Sequence, residues 1–99
     1  MYIIKQTNVF SKWLLKLKDA KGKVSILRRI DRMKLGNFGD NKSVGNNISE
    51  LRITTSTAYR VYYTKKDDEI IVLLIGGDKS TQSDDIKKAN EILKELDNE

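Results

Sequence analysis

The chain opens with an apolar segment, followed by a stretch whose apolar residues recur at helical spacing. Residues 2–6 are short, apolar and partly alternating, which predicts a strand. Phe10, Leu14 and Leu17 stand at positions i, i+4 and i+7, so they would share one face of a helix. Trp13 widens that face. The residues that can cap the first turn of this helix are Thr7 and Asn8.

A second helical pattern extends from residue 20 to residue 35. Its apolar residues fall at a spacing of about 3.6, and they are Ala20, Val24, Leu27, Ile30 and Met33. Gly36 follows this pattern and can adopt the left-handed backbone conformation that ends a helix. Glycine, asparagine and aspartate are frequent between residues 36 and 47, which predicts an ordered loop or tight turns there.

Alternating and continuous apolar runs predict three strands in the second half of the chain. Residues 48–54 and 59–64 alternate between apolar and polar side chains, as half-buried strands do. Residues 70–75 are apolar without interruption, which is typical of a strand buried on both faces. Asp67 and Asp68 lie between the last two strands and predict a tight turn that makes them antiparallel neighbours.

A final helix is predicted after these strands. Thr81 and Asp84 have the spacing of a capping box at its start. Its apolar stripe consists of Ile86, Ala89, Leu93 and Leu96. The element order β-α-α-β-β-β-α predicts the α+β class, with helices packed on one face of a small, mainly antiparallel sheet.

The composition limits both the class of protein and its chemistry. A length of 99 residues, 38% apolar and 33% charged, predicts one globular domain over residues 1–99. The longest apolar run is far too short to cross a bilayer, and we expect a cytoplasmic protein. Because cysteine and histidine are absent, any catalysis must use lysine, arginine, tyrosine, aspartate or glutamate.

Positive charge is concentrated in the first half of the chain. The net charge is +5, but residues 1–49 carry eleven basic and three acidic side chains, whereas residues 50–99 carry eight and eleven. Such a basic region favours a polyanionic partner. The basic residues of the second helix could equally form a solvated face or bind RNA. The candidate RNA-binding residues are Lys21, Lys23, Arg28, Arg29, Arg32 and Lys42.

Two arginines are predicted to face each other across a hairpin. If residues 48–54 pair with residues 59–64, Arg52 lies opposite Arg60 on the polar face. Like charges in this position destabilise a strand pair by up to about 1 kcal/mol, so we expect an anion to neutralise them. Guanidinium groups bind phosphate through two hydrogen bonds, which favours a nucleic-acid backbone. Alternatively, Glu50 or a carboxylate from a helix pairs with one arginine, and both arginines merely cover the sheet.

Two further features belong to the same region. Tyr62 shares the predicted face of the arginines, where it could stack on a base or exchange a proton. Glycines 76–77 and Lys79 connect a buried strand to a helix, where small residues and unpaired amide groups suit an anion. The alternative is an ordinary strand-to-helix turn.

Five motifs cover nearly the whole chain. They are Phe10-x-x-Trp13-Leu14-x-x-Leu17, Gly36-Asn37-Phe38-Gly39-Asp40, Glu50-Leu51-Arg52-Ile53, Tyr59-Arg60-Val61-Tyr62-Tyr63 and Leu74-x-Gly76-Gly77-Asp78-Lys79-Ser80. In this order they resemble the RelE/HigB-type addiction-module killer proteins of the RelE/ParE toxin superfamily. The resemblance implies the fold predicted above and a toxin encoded beside a cognate antitoxin. It also implies cleavage of messenger RNA on the ribosome, without a metal ion or other cofactor.

The resemblance further implies catalytic roles. Arg60 matches the strand arginine that holds the scissile phosphate, and Arg52 matches a basic position on the preceding strand. Lys79 matches a basic residue that stabilises charge in the reaction. Asp85 stands near a catalytic tyrosine of some relatives, and Glu50 stands where some carry lysine. The candidates for the general base are Asp85, Glu50, Tyr62 and a group supplied by the ribosome.

The implied reaction is attack of a ribose 2′-hydroxyl on the adjacent phosphate, which gives a 2′,3′-cyclic phosphate and a free 5′-hydroxyl. The implied partners are the antitoxin, the ribosome and messenger RNA, and no membrane. Two alternatives stay open: a ParE-like inhibitor of DNA gyrase without nuclease activity, and a noncatalytic RNA-binding module.

Overall fold

The computed structural model describes residues 1–98 and contains, within that range, a five-stranded sheet and three α-helices. The strands are β1 (Ile3–Gln6), β2 (Asn41–Gly45), β3 (Ile48–Thr54), β4 (Ala58–Lys66) and β5 (Ile70–Asp78). The helices are α1 (Asn8–Lys16), α2 (Ala20–Lys34) and α3 (Gln82–Asp97), and a short 3-10 turn (Lys79–Thr81) precedes α3. The predicted α+β class is confirmed.

The strands lie in the order β1-β5-β4-β3-β2. Strand β1 is parallel to β5, and the other neighbouring strands of residues 1–98 are antiparallel. As predicted, Asp67 and Asp68 form the turn between β4 and β5, with φ angles of 55° and 58°. Because side chains alternate between the two faces of a strand, this order decides which residues meet on one face.

Strand β2 lies within the segment that the sequence predicts to be a loop. Its residues are mostly exposed, and Val44 is only half-buried, so no apolar alternation marks a strand. It forms because its backbone pairs with β3 through a turn at Asn46 and Asn47, whose φ angles are 54° and 65°. The Asn-Asn pair is the one local signal for this hairpin.

Helices cover both faces of the sheet, which corrects the prediction that they pack on one face. Helices α1 and α2 lie on the first face, where Phe10 and Met33 are buried. Helix α3 lies on the opposite face, where Ile92 is buried. Strand β5 explains why both faces are covered, because Leu73 belongs to the first core and Leu74 to the second. A strand that is apolar on both faces needs cover on both.

Helix α2 is rotated relative to the prediction, although Met33 is buried and Ile30 packs against the first core as predicted. Ile26 is fully buried, whereas Val24 and Leu27 are 47% and 44% exposed. This rotation places Gly22 against Tyr59, where an added Cβ atom would lie 2.5 Å from the ring. The missing side chain therefore allows the helix to approach the sheet closely.

None of the helices within residues 1–98 is long and apolar enough to span a membrane.

Two predicted helix ends are confirmed, and a third is shifted. Thr7 caps α1 by accepting a backbone amide hydrogen bond at 3.0 Å, and Gly36 follows the end of α2 with a φ angle of 94°. The capping box predicted for Thr81 and Asp84 does not form. The box instead joins Asp78 to Thr81 around the 3-10 turn, because this extra turn separates the end of β5 from α3.

Candidate active site

The two arginines predicted to face each other do so. Arg52 on β3 lies directly opposite Arg60 on β4, and Arg60 lies opposite Gly77 on β5. The prediction from strand alternation is therefore confirmed. Glu50 and Tyr62 form the next cross-strand pair on the same face, so the four side chains occupy neighbouring positions at about 4.5–5.5 Å Cβ separation across the strands.

Glu50 is a buried carboxylate beside both arginines. Its side chain is 1% exposed, and it accepts hydrogen bonds from Arg60 Nη1 at 3.1 and 3.3 Å. It also accepts from Gln82 Nε2 at 3.3 and 3.4 Å, while Arg52 Nε lies 3.8 Å from Glu50 Oε1. The carboxylate thus offsets part of the positive charge, as the alternative interpretation of the arginine pair expects. Because its oxygens are occupied, Glu50 is a poor candidate for the general base.

Tyr62 lies beneath α3 and is 0% exposed. It therefore cannot stack on a base in this conformation, which corrects that part of the sequence interpretation. Burial, together with the nearby charge of Glu50, raises the pKa of Tyr62 to about 12. Within residues 1–98 its hydroxyl has no hydrogen-bond partner, and the Nε atoms of Arg52 and Arg60 are likewise buried without one.

Asp85 extends from the first turn of α3 onto Gly77. An added Cβ atom at Gly77 would lie 1.8 Å from Asp85 Oδ2, so the carboxylate rests directly on the strand backbone next to Arg60. Thr81 Oγ1 donates a hydrogen bond of 2.5 Å to it. Burial raises the pKa of Asp85 above its usual value, with a smaller contribution from neighbouring acidic residues. A raised pKa suits a group that exchanges protons.

The glycine pair at 76–77 accommodates side chains of the protein itself. Trp13 from α1 packs against Gly76, where a Cβ atom would lie 2.3 Å from the indole ring, and Asp85 packs against Gly77. This favours the interpretation as a strand-to-helix turn over that of an anion site. Lys79 follows at the start of the 3-10 turn and is exposed, beside a shallow groove lined by Thr57 and Ala58.

The predicted RNA-binding residues divide into two groups. Lys21, Arg28, Arg32 and Lys42 are exposed, and Lys23 is half-buried. Arg29 instead has a structural role: its guanidinium donates to the backbone carbonyls of Phe38 at 2.9 Å, Asp40 at 3.1 Å, and Arg52. Since α2 lies on the face opposite Glu50, the exposed basic residues of α2 are on the other side of the sheet from the arginine pair.

Sequence reasoning does not identify Gln82 or Thr81 as parts of this region. Gln82 reaches Glu50 across 32 positions in the chain, and Thr81 is bound to Asp85 rather than to the helix amides. No local motif encodes the first contact, because it depends on α3 lying over β3 and β4.

Comparisons with known proteins agree with this architecture. Residues 12–97 match the family model described as phage derived protein Gp49-like. A protein of Haemophilus influenzae described as uncharacterized is 50% identical over 93 residues, which cover 94% of each chain. A double arginine-to-alanine variant of the E. coli toxin RelE, in the free state, superposes with a TM-score of 0.71 at 17% identity. That match covers 91% of this chain and 95% of the RelE chain.

The structural match shows that the fold is that of RelE. The family match covers most of the chain, and together they confirm the resemblance to the RelE/ParE superfamily found in the sequence motifs. The chain therefore belongs to the Gp49-like family, a family of RelE-like toxins.

Proposed function

We propose that this protein is the toxin of a type II toxin-antitoxin module and acts as a ribosome-dependent mRNA endonuclease. The observation that supports this most strongly is the arrangement of Arg52, Arg60 and Asp85. Two guanidinium groups are carried by directly opposed residues of neighbouring strands, and the carboxylate of Asp85, whose pKa is raised, rests on Gly77, the β5 residue opposite Arg60. Cations that stabilise a phosphoryl group, together with a proton acceptor, are the groups that RNA cleavage requires.

In the proposed reaction, a ribose 2′-oxygen attacks the adjacent phosphorus while the bond to the 5′-oxygen breaks. Asp85 accepts the proton of the 2′-hydroxyl. Arg52 and Arg60 stabilise the negative charge that develops on the non-bridging oxygens. Lys79 donates a proton to the leaving 5′-oxygen, so the products are a 2′,3′-cyclic phosphate and a free 5′-hydroxyl. The reaction as written uses side chains of the protein and no metal ion.

The charge of Glu50 offers a reason for dependence on the ribosome. Because this buried carboxylate neutralises one of the two arginines, the cluster of Glu50, Arg52 and Arg60 has a net charge of only about +1. We expect such a site to bind free RNA weakly and to need a substrate that is already oriented. Purified protein should therefore cut ribosome-bound message much faster than naked RNA.

Transcript mapping after brief expression tests the proposal. Cells expressing the wild type should stop growing and contain in-frame cuts within coding regions. Arg60→Lys, Arg52→Ala, Lys79→Ala and Asp85→Asn should each reduce cutting, whereas Lys94→Ala at the other end of α3 should not. DNA breaks that depend on gyrase would instead identify a ParE-like inhibitor, and RNA binding without cuts or growth arrest would identify a noncatalytic module.

The proposal includes a cognate antitoxin. The exposed basic residues on α2 offer a surface that complements an acidic segment of a partner. Co-expression of the small protein encoded beside this one should restore growth and yield a stable complex on size-exclusion chromatography. Continued growth arrest, with the two proteins eluting separately, would contradict this part of the proposal.

A further inference from the structure

The two arginines of the site are held to different degrees. Arg60 is 14% exposed and donates to both oxygens of Glu50, the shorter bond being 3.1 Å. Arg52 is 36% exposed; its Nε lies 3.8 Å from Glu50, beyond hydrogen-bond distance, and its Nη1 lies 3.9 Å from the exposed Asp40. Arg60 is thus held by direct hydrogen bonds to Glu50, whereas Arg52, whose Nε is also buried, is held to the carboxylate only by the longer contact.

Gln82 completes the surroundings of the Glu50 carboxylate. Its amide is uncharged, so its hydrogen bonds to Glu50 orient the carboxylate without neutralising it. Gln82 and Asp85 are three positions apart in the first turn of α3, and residues at this spacing lie on the same side of a helix. The contact between Gln82 and Glu50 therefore also fixes the turn that carries Asp85 relative to Arg60.

We infer that Glu50, oriented by Gln82, is a positioning residue that fixes Arg60 opposite Gly77, on which Asp85 rests, and leaves the exposed end of the Arg52 guanidinium to contact the scissile phosphate. The kinetic part of this inference rests on the proposed nuclease function. A carboxylate that served only to weaken RNA binding would need no neutral hydrogen-bond donor and no burial. Glu50 has both, which favours a role in geometry.

The position of Arg60 can be measured without any catalysis. In 15N-labelled protein, hydrogen exchange at Arg60 Nε should be slow, because this atom is buried. Glu50→Gln should accelerate this exchange several-fold, and Gln82→Ala should do so to a smaller extent. Ser83→Ala, an exposed neighbour on the same turn, is the matched control and should change nothing. Unchanged exchange in both variants would overturn the inference.

Cleavage of ribosome-bound message provides the second measurement. Glu50→Gln should lower kcat by about 100-fold, the loss expected when a catalytic group is misplaced by about 1 Å. KM should stay unchanged or fall, because the site becomes more positive. Gln82→Ala should lower kcat less, again without raising KM. Faster cleavage by Glu50→Gln would show that the carboxylate only weakens binding, and would overturn the inference.

Two further outcomes are distinguishable. Glu50→Gln could fail to fold, because Arg60 has lost its counter-ion. In that case the Gln82→Ala measurements test the inference, since alanine is compatible with the first turn of a helix. If kcat falls only in proportion to the loss of folded protein, the role is purely structural and the inference is wrong. If wild-type protein never cleaves RNA, the proposed function fails, whereas the exchange measurement still decides whether Glu50 and Gln82 fix Arg60.

Discussion

Two neighbouring glycines have different roles at the scale of single residues. Gly76 makes room for the rigid ring of Trp13 on one face of the sheet, and Gly77 makes room for the carboxylate of Asp85 on the other. The alternation of side-chain directions along β5 produces this division. One glycine thus contributes to packing, and the other to the candidate site.

Substitution of the two glycines should separate these roles. Gly76→Ala places a Cβ atom 2.3 Å from the Trp13 ring, and we expect it to lower the free energy of unfolding by about 1–3 kcal/mol because the core is overpacked. In Gly77→Ala the clash is with flexible side chains, so the loss should be below about 1 kcal/mol, while cleavage falls because Asp85 moves. Urea unfolding and transcript cleavage measure the two effects.

A double-mutant cycle provides the control. In an Asp85→Ala background, Gly77→Ala should cost less stability than in the wild type, because the carboxylate that it displaces is gone. Equal costs in both backgrounds would contradict the proposed contact.

Asp85 should reduce the stability of the fold at neutral pH. Burial raises its pKa above the ordinary value of an aspartate side chain, so the folded state binds its proton more tightly than the unfolded state does. Its contribution to stability is therefore fully present below about pH 3.8 and is lost as the pH rises through the higher folded value. Asp85→Asn should unfold at a higher urea concentration than the wild type at pH 7, with no such advantage at pH 3.

Catalysis should show the corresponding dependence on pH. If Asp85 is the general base, kcat rises with pH until the carboxyl group is ionised, and Asp85→Asn removes this limb of the profile. If Asp85→Asn is both more stable than the wild type and equally active, the general base is a group other than Asp85.

At the scale of elements, Arg29 joins α2 to two other segments. Its guanidinium binds carbonyl groups of the loop at Phe38 and Asp40 and of strand β3 at Arg52. Because Arg52 is a candidate catalytic residue, α2 supports the site from the opposite face of the sheet. The basic pattern of α2 in the sequence does not distinguish this buried role from that of its exposed neighbours.

Alanine substitutions should distinguish the two roles. Arg29→Ala should lower the free energy of unfolding by about 2–3 kcal/mol, because three charged hydrogen bonds to backbone carbonyls, two of them part-buried, are lost. Arg28→Ala, on the exposed part of the same helix, should change it by less than about 0.5 kcal/mol. Equal effects of the two substitutions in urea unfolding would show that the Arg29 contacts contribute little.

At the scale of the whole molecule, the exposed arginines of α2 and the arginine pair of the candidate site lie on different faces of the sheet. Arg28 and Arg32 border a groove of about 230 Å³ beside the end of β3, whereas Glu50, Arg60 and Asp85 lie under or beside α3. The basic face can therefore contact an RNA backbone at a distance from the reaction, and contacts of this kind depend strongly on salt.

Removal of charge from α2 should weaken binding without changing where RNA is cut. For Arg28→Ala combined with Arg32→Ala, the slope of log affinity for ribosomes against log salt should decrease by about 1 for each arginine that contacts a phosphate. Lys87→Ala combined with Lys94→Ala on α3 is the control of equal charge. An unchanged slope for the α2 variant would show that this face does not contact RNA.

The local elements and one central feature of the site can be predicted from the amino-acid pattern alone. The periods of 3.6 and 2 give the helices and strands, since they depend on neighbouring residues, and the alternation in residues 48–54 and 59–64 brings Arg52 opposite Arg60. The edge strand β2 was not predicted, because an exposed strand can form through its backbone hydrogen bonds alone, without an apolar pattern.

The way in which the elements combine depends on packing between segments that are distant in the chain. The burial of β5 on both faces places α3 opposite α1 and α2, and this placement brings Gln82 to Glu50 and Asp85 to Gly77. The same packing brings the guanidinium of Arg29 within hydrogen-bond distance of the backbone carbonyls of Phe38 and Asp40. Gln82 and Glu50 are 32 positions apart in the chain. All of these contacts depend on sheet order and helix rotation, which follow from the burial of the whole chain rather than from any local pattern.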